Sequence, residues 1–440
     1  MLRSIALALV LLTSVYSGFS QSYWKIRTEY GEDVLLTIEM HAADHTFKAF
    51  TRKDALKDIA GFFTYNLARA AGKLKYPEIV YIEGKTEMQK DSLKLEGVFY
   101  YIDKQYAFKA VISGSHFIGK FTDNKNKFHR LTGEKVSSNK PIKDYKTIVN
   151  NVFSIAEKNL FNPLWIKSTE WVAFKNDIDK LKPLISDDYE LAASMMWLGK
   201  KFPFSPFEIQ KTGTRPGGNV SKSSSRITEI KPGIGLIDGN LLPASMKEMD
   251  SLSRIISKKE ITTLILDFRG RSRILPEAGV CLLNYISGRA FQAGVYLTRK
   301  WWNAHLAAPK VTEYKKWFKD ISETAPPAKF SNEPGYVLAV VPVKKTFHGR
   351  IYVLTDTKTS KVFEAMAAIL KSEKLATIVG QKTSGSTSLT ESLIISDEFS
   401  LQIPVADFYD PNGKNFTKTG IDPDIPMLPD NAINYILKTR

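Results

Sequence analysis

In the C-terminal half of this chain, short β-branched runs alternate with segments of helical period, and that alternation restricts the fold more than any other feature. "GIGLIDG" (Gly233 to Gly239) precedes a helical stretch near Ala244 to Ile256, and "TTLILDF" (Thr262 to Phe268) follows. "YVLAVVPV", "RIYVLTD", a second helical stretch and "TIVG" come later. Such runs lack polar alternation, as strands buried on both faces do, and intervening helices are what parallel strands need as crossovers. The expectation is an α/β unit with a parallel sheet over 226–440. No G-x-G-x-x-G or G-x-x-x-x-G-K-[ST] follows any of these strands, which removes the usual phosphate-cradling loops.

Upstream the period changes. From Asp33 to Val136, six short aromatic or β-branched runs are separated by Gly, Asn, Asp and Lys clusters at hairpin-like intervals. They predict an antiparallel sheet or small barrel within a β-rich domain, 21–137. One covering helix is expected over Ala55 to Ala71, with Leu56, Ile59, Phe63, Leu67 and Ala70 on one face. His41, His45, His116 and His129 are dispersed, without the spacing of a metal site. Residues 141–210 read as a helical segment. Tyr145, Ile148, Val149, Val152 and Ala156 form one stripe, and Asp187 and Glu190 stand at capping-box spacing. Met195, Met196 and Trp197 are expected in the core. "KTGTRPGGNVSKSSS" (211–225) is rich in Gly, Ser and Thr and reads as a linker or mobile loop.

The first twenty residues have the form of a targeting segment. Arg3 precedes an apolar run from Ile5 to Tyr16, and Gly18 and Ser20 are small residues suited to cleavage after Ser20. The run is shorter than the ~20 residues a membrane span needs. An exported, periplasmic or extracellular protein that does not span the membrane is expected. The lone cysteine, Cys281, rules out an intramolecular disulfide and reads as a packing thiol. The formal net charge of +16 comes from scattered lysines with no aromatic-interleaved stripe. With export, that disfavours nucleic acid as a partner.

The motifs "GIGLIDG", "LILDFRG" (Leu264 to Gly270), "GRIYVLTD" (Gly349 to Asp356), Glu364, "IVGQKTSG" (Ile378 to Gly385) and "GIDPDI" (Gly420 to Ile425) occur in this order. Together they resemble the tail-specific, or C-terminal-processing, serine protease family, in its branch without an inserted PDZ domain. The resemblance implies a ClpP/crotonase-like α/β core, preceded here by the helical segment and the antiparallel β domain. It also implies a serine nucleophile at a helix start, a base and a glycine-rich oxyanion loop, with no cofactor and no metal.

Three of those positions differ. "TDTKTSKVFEAM" (Thr355 to Met366) places Lys361 in the nucleophile column. The two base columns of the family hold Ser386 and Pro206, and Gln381 replaces the familiar glutamate. After "LILDFRG" the glycine loop is replaced by "RSRI", Arg271 to Ile274. Amide hydrolysis needs an activated hydroxyl, a base and oxyanion donors together. The leading expectation is an inactive homologue that binds a peptide or another acidic ligand through Arg271, Arg273, Lys361, Ser384 and Ser386. Glu364, one turn on, is the expected partner of Lys361, and Ser360 or Thr359 the expected helix cap. Two alternatives stand beside it. One is an active peptidase with a relocated dyad drawn from Ser360, Ser384, Ser386, Lys382 and Lys361. The other is an envelope adaptor binding through the β domain.

Overall fold

The structure, a computed structural model, describes residues 19–124, 126–200, 202, 207–212, 227–321 and 330–439. The expected targeting segment lies outside these residues up to residue 18, as does nearly all of the expected linker.

Eight antiparallel strands close into a barrel: β1 (Phe19–Thr28), β2 (Asp33–His41), β3 (Thr46–Phe50), β4 (Val80–Gln89), β5 (Ser92–Tyr101), β6 (Lys104–Ser113), β7 (His116–Thr122) and β8 (Phe128–Val136). Closure comes from β1 pairing with β8, with Ile26 opposite Gly133. Alternate side chains fill the interior, among them Trp24, Ile26, Ile38, Phe47, Ile82, Leu95, Phe108 and Phe117. The single helix expected over Ala55 to Ala71 is instead two, α1 (Ala55–Ala60) and α2 (Phe62–Ala70). Gly61 breaks it with φ 78° and ψ 149°, a conformation a side chain resists. The break turns the second helix, so Leu56 and Ile59 are buried while Phe63 and Leu67 face solvent and Tyr65 packs inward.

The helical segment forms α3 (Tyr145–Asn159), α4 (Thr169–Leu181) and α5 (Asp188–Gly199). Asp187 caps α5 by accepting the Glu190 N–H at 2.8 Å. The Glu190 side chain does not return the bond. It accepts from the Ser186 N–H at 3.0 Å and from Arg52 of the barrel at 2.8 Å. Met195 is buried as expected, but Met196 is 43% exposed, because its place on α5 faces a cleft.

Beyond lie β9 (Glu208–Lys211), β10 (Thr228–Lys231), β11 (Ile234–Asp238), α6 (Met246–Lys258), β12 (Thr263–Asp267), α7 (Pro276–Ile286) and β13 (Phe291–Thr298). They are followed by α8 (Arg299–Ala304), α9 (Tyr314–Trp317), β14 (Lys319–Asp320), β15 (Gly335–Val340), β16 (Arg350–Thr355), α10 (Val362–Ser372) and β17 (Thr377–Gly380). The chain closes with β18 (Leu389–Ile394), β19 (Phe399–Tyr409), β20 (Ile425–Pro426) and α11 (Pro429–Lys438). One sheet has the order β10-β11-β12-β16-β17-β20, with all neighbours from β11 onward parallel. The other has the order β14-β15-β13-β19-β18, and β9 adds to β19. The "RKWW" stretch is α8, whose Trp301 and Trp302 are core residues with Val295, Leu297 and Tyr314. Cys281 is buried on α7.

Loops leaving β12, β16 and β17 at their carboxyl ends meet on one side of the parallel sheet. In open α/β sheets that edge is where ligands bind.

Candidate functional site

A cleft of about 620 Å³ opens there. Its lining includes Arg271 from the loop after β12, Lys358, Ser360 and Lys361 from the turn after β16, and Ser384, Gly385 and Ser386 from the loop after β17. Met196 and Lys200 at the end of α5, with Phe202, Phe207 and Glu208, complete the opposite wall, and Lys418 joins from the far C-terminal side.

Lys361 stands at the strand-to-helix turn and precedes α10 with φ 60° and ψ −130°. Side chains avoid this region, and holding one there costs ~1–3 kcal/mol. Sharp turns of this kind, between a strand and a helix, are the means by which hydrolases push a nucleophile out into a site. Here the turn carries an amine. The expected cap at Ser360 or Thr359 is not formed, because both precede a backbone reversal that removes them from the helix end. Ser360 instead makes a parallel bridge to Arg271, and the Thr359 hydroxyl donates to the Phe268 carbonyl at 2.9 Å.

The pairing of Lys361 with Glu364 is also corrected. Glu364 is fully buried and points away, into the loop after β17. It accepts from the Gly385 N–H at 2.8 Å, the Ser386 N–H at 2.6 Å and the Thr383 hydroxyl. Burial raises its pKa, and these bonds oppose that by stabilising the carboxylate. Its structural effect is to clamp the serine-bearing loop. The Lys361 ammonium reaches the Thr390 hydroxyl at 3.3 Å. Burial pushes its pKa down, the charge of Arg271 pushes the same way, and Glu208 pulls it back.

Three backbone donors near the turn are engaged within the chain. The Lys361 N–H donates to the Ser386 carbonyl at 2.5 Å. The Arg273 N–H donates to Asn240 Oδ1 at 2.8 Å, and the Gly270 N–H to Asp356 Oδ1 at 3.0 Å.

The structure thus brings together Arg271, Ser360, Lys361, Ser384 and Ser386, and leaves two expected residues out. Arg273 is exposed and does not line the cleft. Lys382 is turned to solvent and pairs with Asp422 at 3.1 Å, so it cannot serve a serine in the cleft. Pro206 lies outside the described residues. Sequence reasoning missed Lys200, Lys358, Lys418 and Glu208. Lys358 sits only three residues before Lys361, a signal that was available; the others come from distant segments. Among the described lining residues five are cationic (Lys200, Arg271, Lys358, Lys361 and Lys418) and Glu208 alone is acidic, its carboxylate 3.9 Å from Arg271. Among the described residues no group of His, Cys, Asp and Glu has the arrangement of a metal site.

Residues 300–427 match the family model of Peptidase family S41. Among solved structures, a lipoprotein from Streptococcus agalactiae is similar at 16% identity and TM-score 0.43, covering 68% of this chain and 98% of that one. A putative peptidase from Parabacteroides merdae is similar at 14% identity and TM-score 0.45, covering 67% and 96%. The photosystem II D1 C-terminal processing protease is similar at 14% identity and TM-score 0.36, covering 67% and 94%. The matched segment holds the turn at Lys361, the helix α10 and the loop clamped by Glu364. Within the C-terminal α/β unit, residues 300–427 are therefore similar to peptidase family S41, the likeness that the motifs of this chain carry.

Proposed function

We propose that this protein is an exported, non-catalytic member of its peptidase class that binds an acidic ligand, best suited to a peptide carboxylate, in the cleft beside Lys361. The observation that carries this reading is the turn itself: the strained conformation that would display a nucleophile displays a lysine. An amine there has no hydroxyl to acylate, and the N–H groups of Lys361, Gly270 and Arg273 are already engaged.

The cleft's charge supports the ligand class. Among the described lining residues, five cations against one carboxylate, within low-dielectric walls, focus a positive potential that attracts anions. The guanidinium of Arg271 suits a carboxylate bidentately. The apolar wall of Met196, Phe202 and Phe207 offers a place for an adjoining side chain.

A relocated Ser/Lys dyad is the second reading, favoured by the depressed pKa of Lys361 among three serines. Against it, the Lys361 ammonium bonds Thr390, and the Ser384 hydroxyl donates to the Thr359 carbonyl at 2.9 Å. Labelling the purified mature protein with a fluorophosphonate serine probe separates the two. The non-catalytic reading predicts no adduct on folded protein; an adduct mapped to Ser360, Ser384 or Ser386 would replace it with the dyad. The binding half is tested by Arg271→Glu, which should weaken an acidic peptide at least tenfold, and unchanged affinity would count against the cleft.

A further inference from the structure

The outer wall of the barrel carries a pattern that the α/β unit does not use. Across β5, β6, β7 and β8 the register places Glu96 opposite Lys109, Lys109 opposite Lys120, and Lys120 opposite Arg130. Like charges directly opposite one another on a sheet repel and destabilise it. Lys109 is offset by Glu96 at 2.7 Å, but among the described residues no carboxylate lies within ion-pair distance of Lys120 or Arg130. The neighbouring row on the same face is Lys94, Val111, Ile118 and Thr132. Ile118 is 66% exposed there, and Val111 is exposed beside it. On the other side of the cationic row stands Phe128, 58% exposed, with the Lys120 ammonium 4.5 Å from its ring centre.

Between the rows is a hollow of about 420 Å³, lined by Lys94, Lys109, Val111, Ile118, Lys120 and Arg130 and by the small pair Ala110 and Gly119. Gly119 faces Ala110 across the ladder, so the wall is thin at this point. Cations at the rim of an apolar hollow, with an exposed aromatic ring beside them, match the two-part chemistry of an anionic lipid: a charged headgroup above the first methylenes of its chain.

We propose that this face of the barrel docks onto a bilayer surface bearing anionic lipid, with Lys109, Lys120 and Arg130 on the headgroups and Val111, Ile118 and Phe128 in the apolar boundary. The lipid supplies the counter-charge that Lys120 and Arg130 lack among the described residues. A soluble polyanion would satisfy the cations but leave Ile118 and Phe128 in water, so the exposed apolar rows favour the bilayer. This inference does not depend on the function of the cleft.

The test is co-sedimentation of the protein with vesicles of phosphatidylcholine, with and without equimolar phosphatidylglycerol. The expected result is binding to the anionic vesicles alone, weakened by salt. Lys120→Gln with Arg130→Gln should reduce partitioning roughly thirtyfold, at ~1 kcal/mol for each cation near the surface. Ile118→Ser should reduce it while leaving the charge untouched. Near-ultraviolet circular dichroism checks that the variants are folded, and relief of the like-charge row should leave their stability equal or higher. Equal binding to neutral vesicles, full binding by the double variant, or capture by soluble dextran sulfate with no vesicle binding would each overturn the proposal.

Discussion

Lys361 joins two costs in one residue. Its backbone has φ 60° and ψ −130°, and its ammonium is drawn from water next to Arg271. A glycine would remove the first cost and an alanine would not, since the alanine Cβ meets the same steric conflict. Lys361→Gly is therefore expected to raise stability by about 1 kcal/mol in urea denaturation, after the flexibility of glycine is set against the relieved strain. Lys361→Ala should leave stability level or lower it. Equal effects of the two would mean that the turn is not strained. That a lysine would stand at this position was legible from "TDTKTSKVFEAM", because the motif order fixes the column. Its partner was not legible. Glu364 lies three residues on, the spacing of a helical ion pair, yet the reversal at Lys361 takes the lysine off the face that Glu364 occupies.

Elements, not single residues, shape the cleft. The loop after β17 is held by Glu364 from below and by the chain near Lys418 from the side, where the Lys418 N–H donates to the Gly385 carbonyl at 2.8 Å. Gly385 has φ 72°, and a Cβ added there would sit 2.7 Å from the Lys418 backbone. Gly385→Ala is expected to cost about 2–4 kcal/mol, by forced separation of the two segments. A thermal scan would read the loss, and acidic-peptide affinity should fall with it. Full stability of this variant would show that the contact yields freely. The parallel strands leading to the cleft were readable, because runs such as "TTLILDF" are apolar on both faces. The helix over Ala55 to Ala71 was misread at Gly61, since an apolar period gives no hint of a backbone reversal at one glycine. Closure of the barrel was equally silent. An open antiparallel sheet and a closed barrel share the same alternation, and the β1–β8 pairing joins segments far apart in sequence.

At the level of the whole molecule, a buried ionic cluster joins the barrel to the helices and to the second sheet. The Asp33 N–H at the start of β2 donates to Asp188 Oδ2 at 2.8 Å. Lys143 pairs with Asp33 at 3.0 Å, with Asp188 at 2.8 Å and with Glu398 at 2.9 Å, and Lys211 pairs with Asp188 at 3.0 Å. Burial alone would raise the pKa of Asp33, but hydrogen bonds from Arg27 and Lys143, with the charges of Lys143 and Lys25, outweigh it and bring the group to about 2. A depressed carboxylate pKa adds stability that is complete above the unfolded value and is lost as pH falls through the folded one. The junction should weaken between about pH 4 and pH 2, by about 2 kcal/mol for this group. Asp33→Asn should show a smaller fall over the same window, measured by urea midpoints at each pH. The same fall in both proteins would place the acid sensitivity elsewhere. Little of this cluster could be read from the sequence, because Asp33, Lys143, Asp188, Lys211 and Glu398 share no motif or period and meet only through the fold.

The proposed role is that of a cleft that holds acidic ligands and does not cut them. The most direct test is to incubate the mature protein with a library of peptides of varied C-termini and to analyse bound and free fractions by mass spectrometry. Under the proposed role, intact peptides with acidic C-terminal segments are enriched in the bound fraction, this enrichment is lost in Lys361→Met, and no shortened peptide accumulates. Shortened peptides generated by the wild-type protein, or enrichment that ignores both peptide charge and Lys361, would contradict it.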